Sequence, residues 1–300
     1  MTKRKKFSSL LVAFLVLDAL VLGAASSYYF AQRSFSKKMI QIEAQKPENL
    51  VKEATASVLP AEGYTTQLKW GDIVKKLVEV GAIDKKKYEE IYNSKTNGAE
   101  QLVLLESDSD QLISVNENSS YFLVNTLWAL GLTQKSQVLD EGPMTKNTAN
   151  YASTGGWTLG AKPAMELYSS QELIPLTDEQ QDQVQKISAN IFRPCCGNSV
   201  AFPDCNHGMA ALGYIELAVA GGLSEEQIYQ DLLAFNSFWF PDTYVEMAVY
   251  FKQQEGKSWG EVDAKTALSK DYSSAAGAQK IKQAVQGVPG LKSQGGSCGA

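Results

Sequence analysis

Apolar residues recur at helical spacing in segment after segment of this chain. Ile73, Val74, Leu77, Val78 and Val80 form one stripe, Gly81 stops it, and Asp84 can cap a second helix from Lys85 to Tyr92. The run from Tyr121 to Leu130 is apolar on most faces and ends at Gly131, which predicts a buried helix capped by Asn118 or Ser119. Thr177 with Gln180, and Ser224 with Gln227, read as capping boxes, while Pro241-Asp242 opens a further helix. Behind these signals Val184, Ile187 and Ile191, then Ile228, Leu232 and Phe235, then Val245, Ala248, Val249 and Phe251 fall on one face each. Met209 to Ala220 is apolar all round and predicts another buried helix, with Asp204 or Asn206 as its cap.

The one strand signal is Ala152 to Leu159, which predicts a short β-hairpin turning at Gly155-Gly156. No strand-helix-strand alternation and no repeat of fixed period occurs. The fold class that follows is mainly α, a helical bundle with one short β-hairpin, preceded by an N-terminal transmembrane helix.

That last element rests on Lys3-Arg4-Lys5-Lys6 followed by a mostly apolar stretch from Leu10 to Ala31, long enough to cross a bilayer once. Asp18 interrupts it at a cost of about 2.5 to 3.5 kcal/mol, which the surrounding Leu, Val and Phe can offset. The alternative is a cleaved signal peptide, since Gly23, Ala24, Ala25 and Ser26 suit a signal peptidase. Either way the basic flank stays inside, and the bulk of the chain is expected to be extracytoplasmic on a single-pass anchor at the cell membrane. The organisation expected is an anchor or signal segment over 1–33, a stalk over 34–65 with Pro47 and Pro60 as breakers, a helical domain over 66–286, and a Gly- and Ser-rich tail over 287–300 that carries Cys298.

Charge removes one class of function. The whole chain carries a net charge of -5, and because Lys3 to Lys6 and Arg33 stand against Asp18 alone in the first 33 residues, the remainder is more acidic still. That disfavours nucleic acid, whose phosphates need a clustered positive surface. No phosphate loop, dinucleotide fingerprint or paired-carboxylate motif occurs. Glu106, Asp108 and Asp110 invite a calcium-loop reading, but Gln111 stands where such a loop needs its turn-making Gly, so a solvated acidic turn is expected. Glu216 reads as facing an opening, and Phe238-Trp239-Phe240 as core at a helix junction.

The concentrated chemistry is elsewhere. Of four cysteines, Cys195, Cys196 and Cys205 fall in one short tract with His207, the only histidine. Thiolates and a neutral imidazole suit Zn(II), and thiolates with the thioether of Met209 suit Cu(I), so Cys195, Cys196, Cys205 and His207 are candidate metal ligands. If Cys205 and His207 both lay in regular helix they would point about 200° apart, so joint ligation requires Cys205 at or before the helix cap. There its thiolate would also feel the positive end of the helix dipole, which makes Cys205 the candidate attacking thiol in disulfide exchange, with Cys195 or Cys196 resolving and His207 as a nearby base. A third reading is a disulfide staple, with Cys298 as a further partner, in a non-enzymatic interaction domain that assists a membrane protein.

Arg193-Pro-Cys-Cys-Gly-Asn198, a helix, and then Gly222-Leu-Ser-Glu-Glu-Gln-Ile-Tyr229 together resemble the thiol-bearing three-helix domain of cytochrome c maturation proteins of the CcmH type, over about Phe192 to Pro241. That family has two residues between its paired cysteines and this chain has none; the resemblance implies reduction of apocytochrome thiols. Trp70 to Asp84, Ala152 to Leu159 and the Cys-Cys to Cys-Asn-His tract also resemble a family of membrane-anchored prokaryotic proteins, which implies the anchor but no activity.

Overall fold

The computed structural model describes residues 22–23, 26–30, 32–33 and 47–291. The chain divides at Leu50 into two units. In the first, the described positions between 22 and 33 are helical, and most of the Leu10 to Ala31 stretch lies outside the described residues, as does Cys298. Among the described residues no helix is long and apolar enough to cross a membrane.

The described chain begins with α1, Pro47–Val58, followed by strand β1, Tyr64–Gly71, and helices α2, Ile73–Glu79, and α3, Lys85–Tyr92. Strand β2, Ser109–Val115, returns antiparallel to β1 with Tyr64 opposite Val115, and the register slips on either side of Lys69. Then come α4, Ser120–Thr133, α5, Asp178–Ser188, α6, Asn206–Ala220, α7, Glu225–Trp239, α8, Pro241–Glu255, and α9, Ala275–Ala284, with short helical turns between α4 and α5 and between α8 and α9. Among the described residues the fold is thus mainly helical with one two-stranded sheet.

Where start signals were explicit, the elements obey them. Asp84 accepts from the backbone N–H of Lys86 and Lys87 at the head of α3, and Thr177 and Gln180 close a reciprocal capping box on α5. Ser224 accepts from Gln227 on α7. Two segments differ from expectation. Residues 47–65 are not a stalk throughout: α1 buries Val51, Ala54 and Val58, and β1 starts at Tyr64. The sheet also lies elsewhere than the hairpin reading of Gly155-Gly156 put it, for Ala152–Gly155 is a helical turn. There a Cβ on Gly155 would run into the carbonyl of Ala149, so the glycine serves a close approach and not a reversal of direction.

The centre is the crossing of α4 and α6. A Cβ on Gly213 would stand 2.6 Å from the Leu127 carbonyl oxygen, and one on Gly131 would overlap the Met209 carbonyl, so backbone meets backbone. Leu123, Leu127 and Leu130 of α4 and Met209, Leu212 and Ile215 of α6 are buried around it. Glu216, expected at an opening, is instead fully buried with neither carboxyl oxygen hydrogen-bonded, and burial pushes its carboxyl well above the usual range. The acidic cluster is solvated as expected and paired with lysines: Glu106 with Lys85, Asp108 with Lys75, and Asp110 with Lys69.

Candidate metal centre

The N-terminal end of α6 sets the geometry. Cys205 is its N-cap, in extended conformation, and its sulfur accepts from the Gly208 N–H at 3.4 Å. Neither Asp204 nor Asn206 is the cap residue. With Cys205 outside regular helix, its thiol and the imidazole of His207 converge instead of diverging. Donor atoms of Cys195, Cys205 and His207 lie within 4.8 Å of one another.

The loop ahead of the cap is strapped down on three sides. The Phe192 N–H donates to the Leu268 carbonyl at 2.8 Å, Val200 to Ile191 at 2.8 Å, and Ala275, at the head of α9, to the Cys196 carbonyl at 2.9 Å. Those bonds deliver Cys195 Sγ to 3.3 Å from Cys205 Sγ. All three described cysteines are free thiols. The expected four-donor set is divided, however. Cys196 falls in a second group, with Asp204 and Cys205, so that Cys205 is common to both.

Sequence reasoning missed the residue on which the loop is built. Arg193 is 1% exposed, and every part of its guanidinium is engaged. Nε donates to Cys205 Sγ at 3.2 Å, Nη1 to the Asn198 carbonyl at 2.9 Å, and Nη2 to the Phe202 carbonyl at 3.1 Å and Asp204 Oδ1 at 2.6 Å. Asp204 Oδ2 in turn accepts from Asn198 Nδ2 at 2.7 Å. The only local hint was an Arg immediately before Pro194 and the paired cysteines; that it is buried follows from a loop folding back on it, which no periodicity encodes.

Electrostatics concentrate negative charge on one sulfur. Hydrogen bonds from Cys195 and Cys196, with the Arg193 charge, hold the Cys205 thiol well below the usual thiol range against the opposing effect of burial. The same hydrogen bonding to Cys196 and Cys205, together with burial, pushes the Cys195 thiol up. Loss of a proton is therefore favoured on Cys205 and disfavoured on Cys195. Burial disfavours the charge on Arg193, but Cys205, Cys196 and Cys195 outweigh it and keep the guanidinium ionised.

His207 closes the site from the apolar side. It is 3% exposed, with its ring 4.4 Å from that of Phe240 and 5.6 Å from that of Trp239, so these half-buried aromatics at the α7–α8 junction wall the imidazole. Its Nδ1 is buried without a hydrogen-bond partner. A buried imidazole nitrogen left unpaired costs about 1 to 3 kcal/mol unless something else takes its lone pair or proton.

No protein-family model, curated protein or solved structure matches the chain. The chemistry of the site therefore stands on its own residues.

Proposed function

We propose that this is a membrane-tethered extracytoplasmic protein whose Cys/His centre binds a soft or borderline metal ion, Zn or Cu. The observation that carries the reading is the unpartnered Nδ1 of His207, buried in a ring whose donor nitrogen is grouped with the sulfurs of Cys195 and Cys205. A metal ion would draw on the ring nitrogen that faces the sulfurs and neutralise thiolate charge. The tether rests on Lys3 to Lys6 ahead of the apolar stretch and on nothing in the described fold. Full-length protein purified without chelator should carry about one equivalent of Zn or Cu, and His207→Ala should lower retention by roughly tenfold or more. Wild type that holds no metal after growth with either ion would sink the proposal.

A second reading, thiol-disulfide exchange with Cys205 attacking, is favoured by the Arg193-stabilised thiolate 3.3 Å from Cys195 Sγ. The likeness to CcmH-type thiol domains supports it, with a membrane partner's thiols as substrate. Under a graded glutathione redox buffer this reading expects a Cys195 to Cys205 disulfide to form and break reversibly, read as a two-hydrogen mass difference on the peptide pair; its absence at oxidising poise removes the reading.

A further inference from the structure

We infer that the centre is built for a monovalent soft cation of the Cu(I) class, held by three donors only: Cys195 Sγ, Cys205 Sγ and a ring nitrogen of His207. The inference rests on the metal-binding reading and narrows it, because Zn(II) in a closed protein site takes four donors in a tetrahedron, whereas a d10 monovalent ion is satisfied by two or three soft ones. The question is then whether a fourth donor is within reach.

Three candidates are present. Asp204, the nearest hard donor, has Oδ1 on Arg193 and Oδ2 on Asn198, so it serves as the guanidinium's counter-charge. Cys196 is grouped with Asp204 and Cys205 and not with His207, and its thiol also lies 3.8 Å from the Asn198 carbonyl. Water is the third: the Phe240 and Trp239 rings lie against the imidazole and the Arg193 guanidinium against Cys205, so approach is left to the side of the part-buried Cys195 and Cys196. Arg193 thus engages the carboxylate nearest to the centre that could join a Zn(II) shell. It acts on selectivity as a positioning residue, through Asp204.

The test uses full-length protein reduced and loaded anaerobically with Cu(I), and separately with Zn(II). X-ray absorption at the copper edge should show two sulfurs and one nitrogen, and bound Cu(I) should survive about a hundredfold excess of Zn(II). Cys196→Ser removes a thiol that hydrogen-bonds Cys205 in the metal-free loop, so affinity can change, but the Cu(I) shell should keep its two sulfurs and one nitrogen. A wild-type shell with three sulfurs that falls to two in Cys196→Ser would overturn the three-donor assignment, and so would a four-coordinate Zn(II) species that displaces Cu(I). Failure to bind either ion would instead overturn the metal-binding reading from which this one starts.

Discussion

Gly208 and Arg193 are fitted to each other: a Cβ on Gly208 would stand 2.5 Å from the guanidinium carbon and its Nη2. The guanidinium lies flat on the first turn of α6 because nothing projects from that position, and from there it reaches Cys205 Sγ and Asp204 together.

Gly208→Ala should accordingly displace Arg193. The far end of an arginine normally moves easily, but this one is fixed by four hydrogen-bond partners, so a loss of about 1 to 3 kcal/mol is expected, as for overpacking elsewhere. Urea denaturation would measure it. An unchanged midpoint would show that the guanidinium has somewhere else to go.

Arg193→Gln removes one partner of a nearly buried ion pair and leaves Asp204 and the Cys205 thiolate uncompensated, a change that should cost about 2 to 5 kcal/mol. Lysine should rescue little, since an ammonium cannot reproduce the fork to Asn198, Phe202 and Asp204. Thermal unfolding of the two variants at equal ionic strength checks the ranking.

In reduced, metal-free protein Cys205 should alkylate at pH values where an ordinary thiol, with a pKa of about 8.5, is inert. Its rate should stay nearly flat as pH falls through neutrality, while Cys195 stays unreactive. Mass spectrometry of iodoacetamide-labelled peptides across pH would show this. Equal labelling of the two sulfurs would mean the proton is not placed as described.

Glu216 supplies a pH dependence of stability with a definite sign. Burial raises its folded carboxyl well above the unfolded value, so the native state keeps a proton that the unfolded chain has lost. The stability from this group is fully present below the unfolded pKa, about 4.3, and is lost as pH rises toward the folded one. Glu216→Gln should therefore stabilise the protein at pH 8, by about 1 to 3 kcal/mol, and flatten the decline. A variant that is less stable than wild type at that pH would show that the carboxyl has an ionised role.

Much of the helical framework is legible in the chain because its signals are local. Asp84, Thr177 and Ser224 announce their helices within four residues, whereas the sequence only made convergence of Cys205 with His207 conditional on the cap, whose residue it placed at Asp204 or Asn206 and not at Cys205. What was not legible depends on distant partners. Tyr64–Gly71 alternates, with Thr66 and Trp70 inward, but it is mostly polar and its partner strand begins near Ser109, so neither segment declares itself. Gly155-Gly156 looked like a turn because glycine tolerates one; the space it opens is used by the Ala149 and Ala152 carbonyls. Arg193 and Asp204 sat in plain view inside the cysteine tract, yet a charge is read as solvent-facing until the loop that buries it is known.

Trp239, one of five tryptophans, has its indole 5.6 Å from the His207 ring. The indole's excited state is therefore within quenching range of whatever the imidazole carries, a proton or a heavy cation. The protein holds an intrinsic optical probe of its own centre, and a titration followed by fluorescence, with Trp239→Phe as the dark control, would count occupancy without any added label.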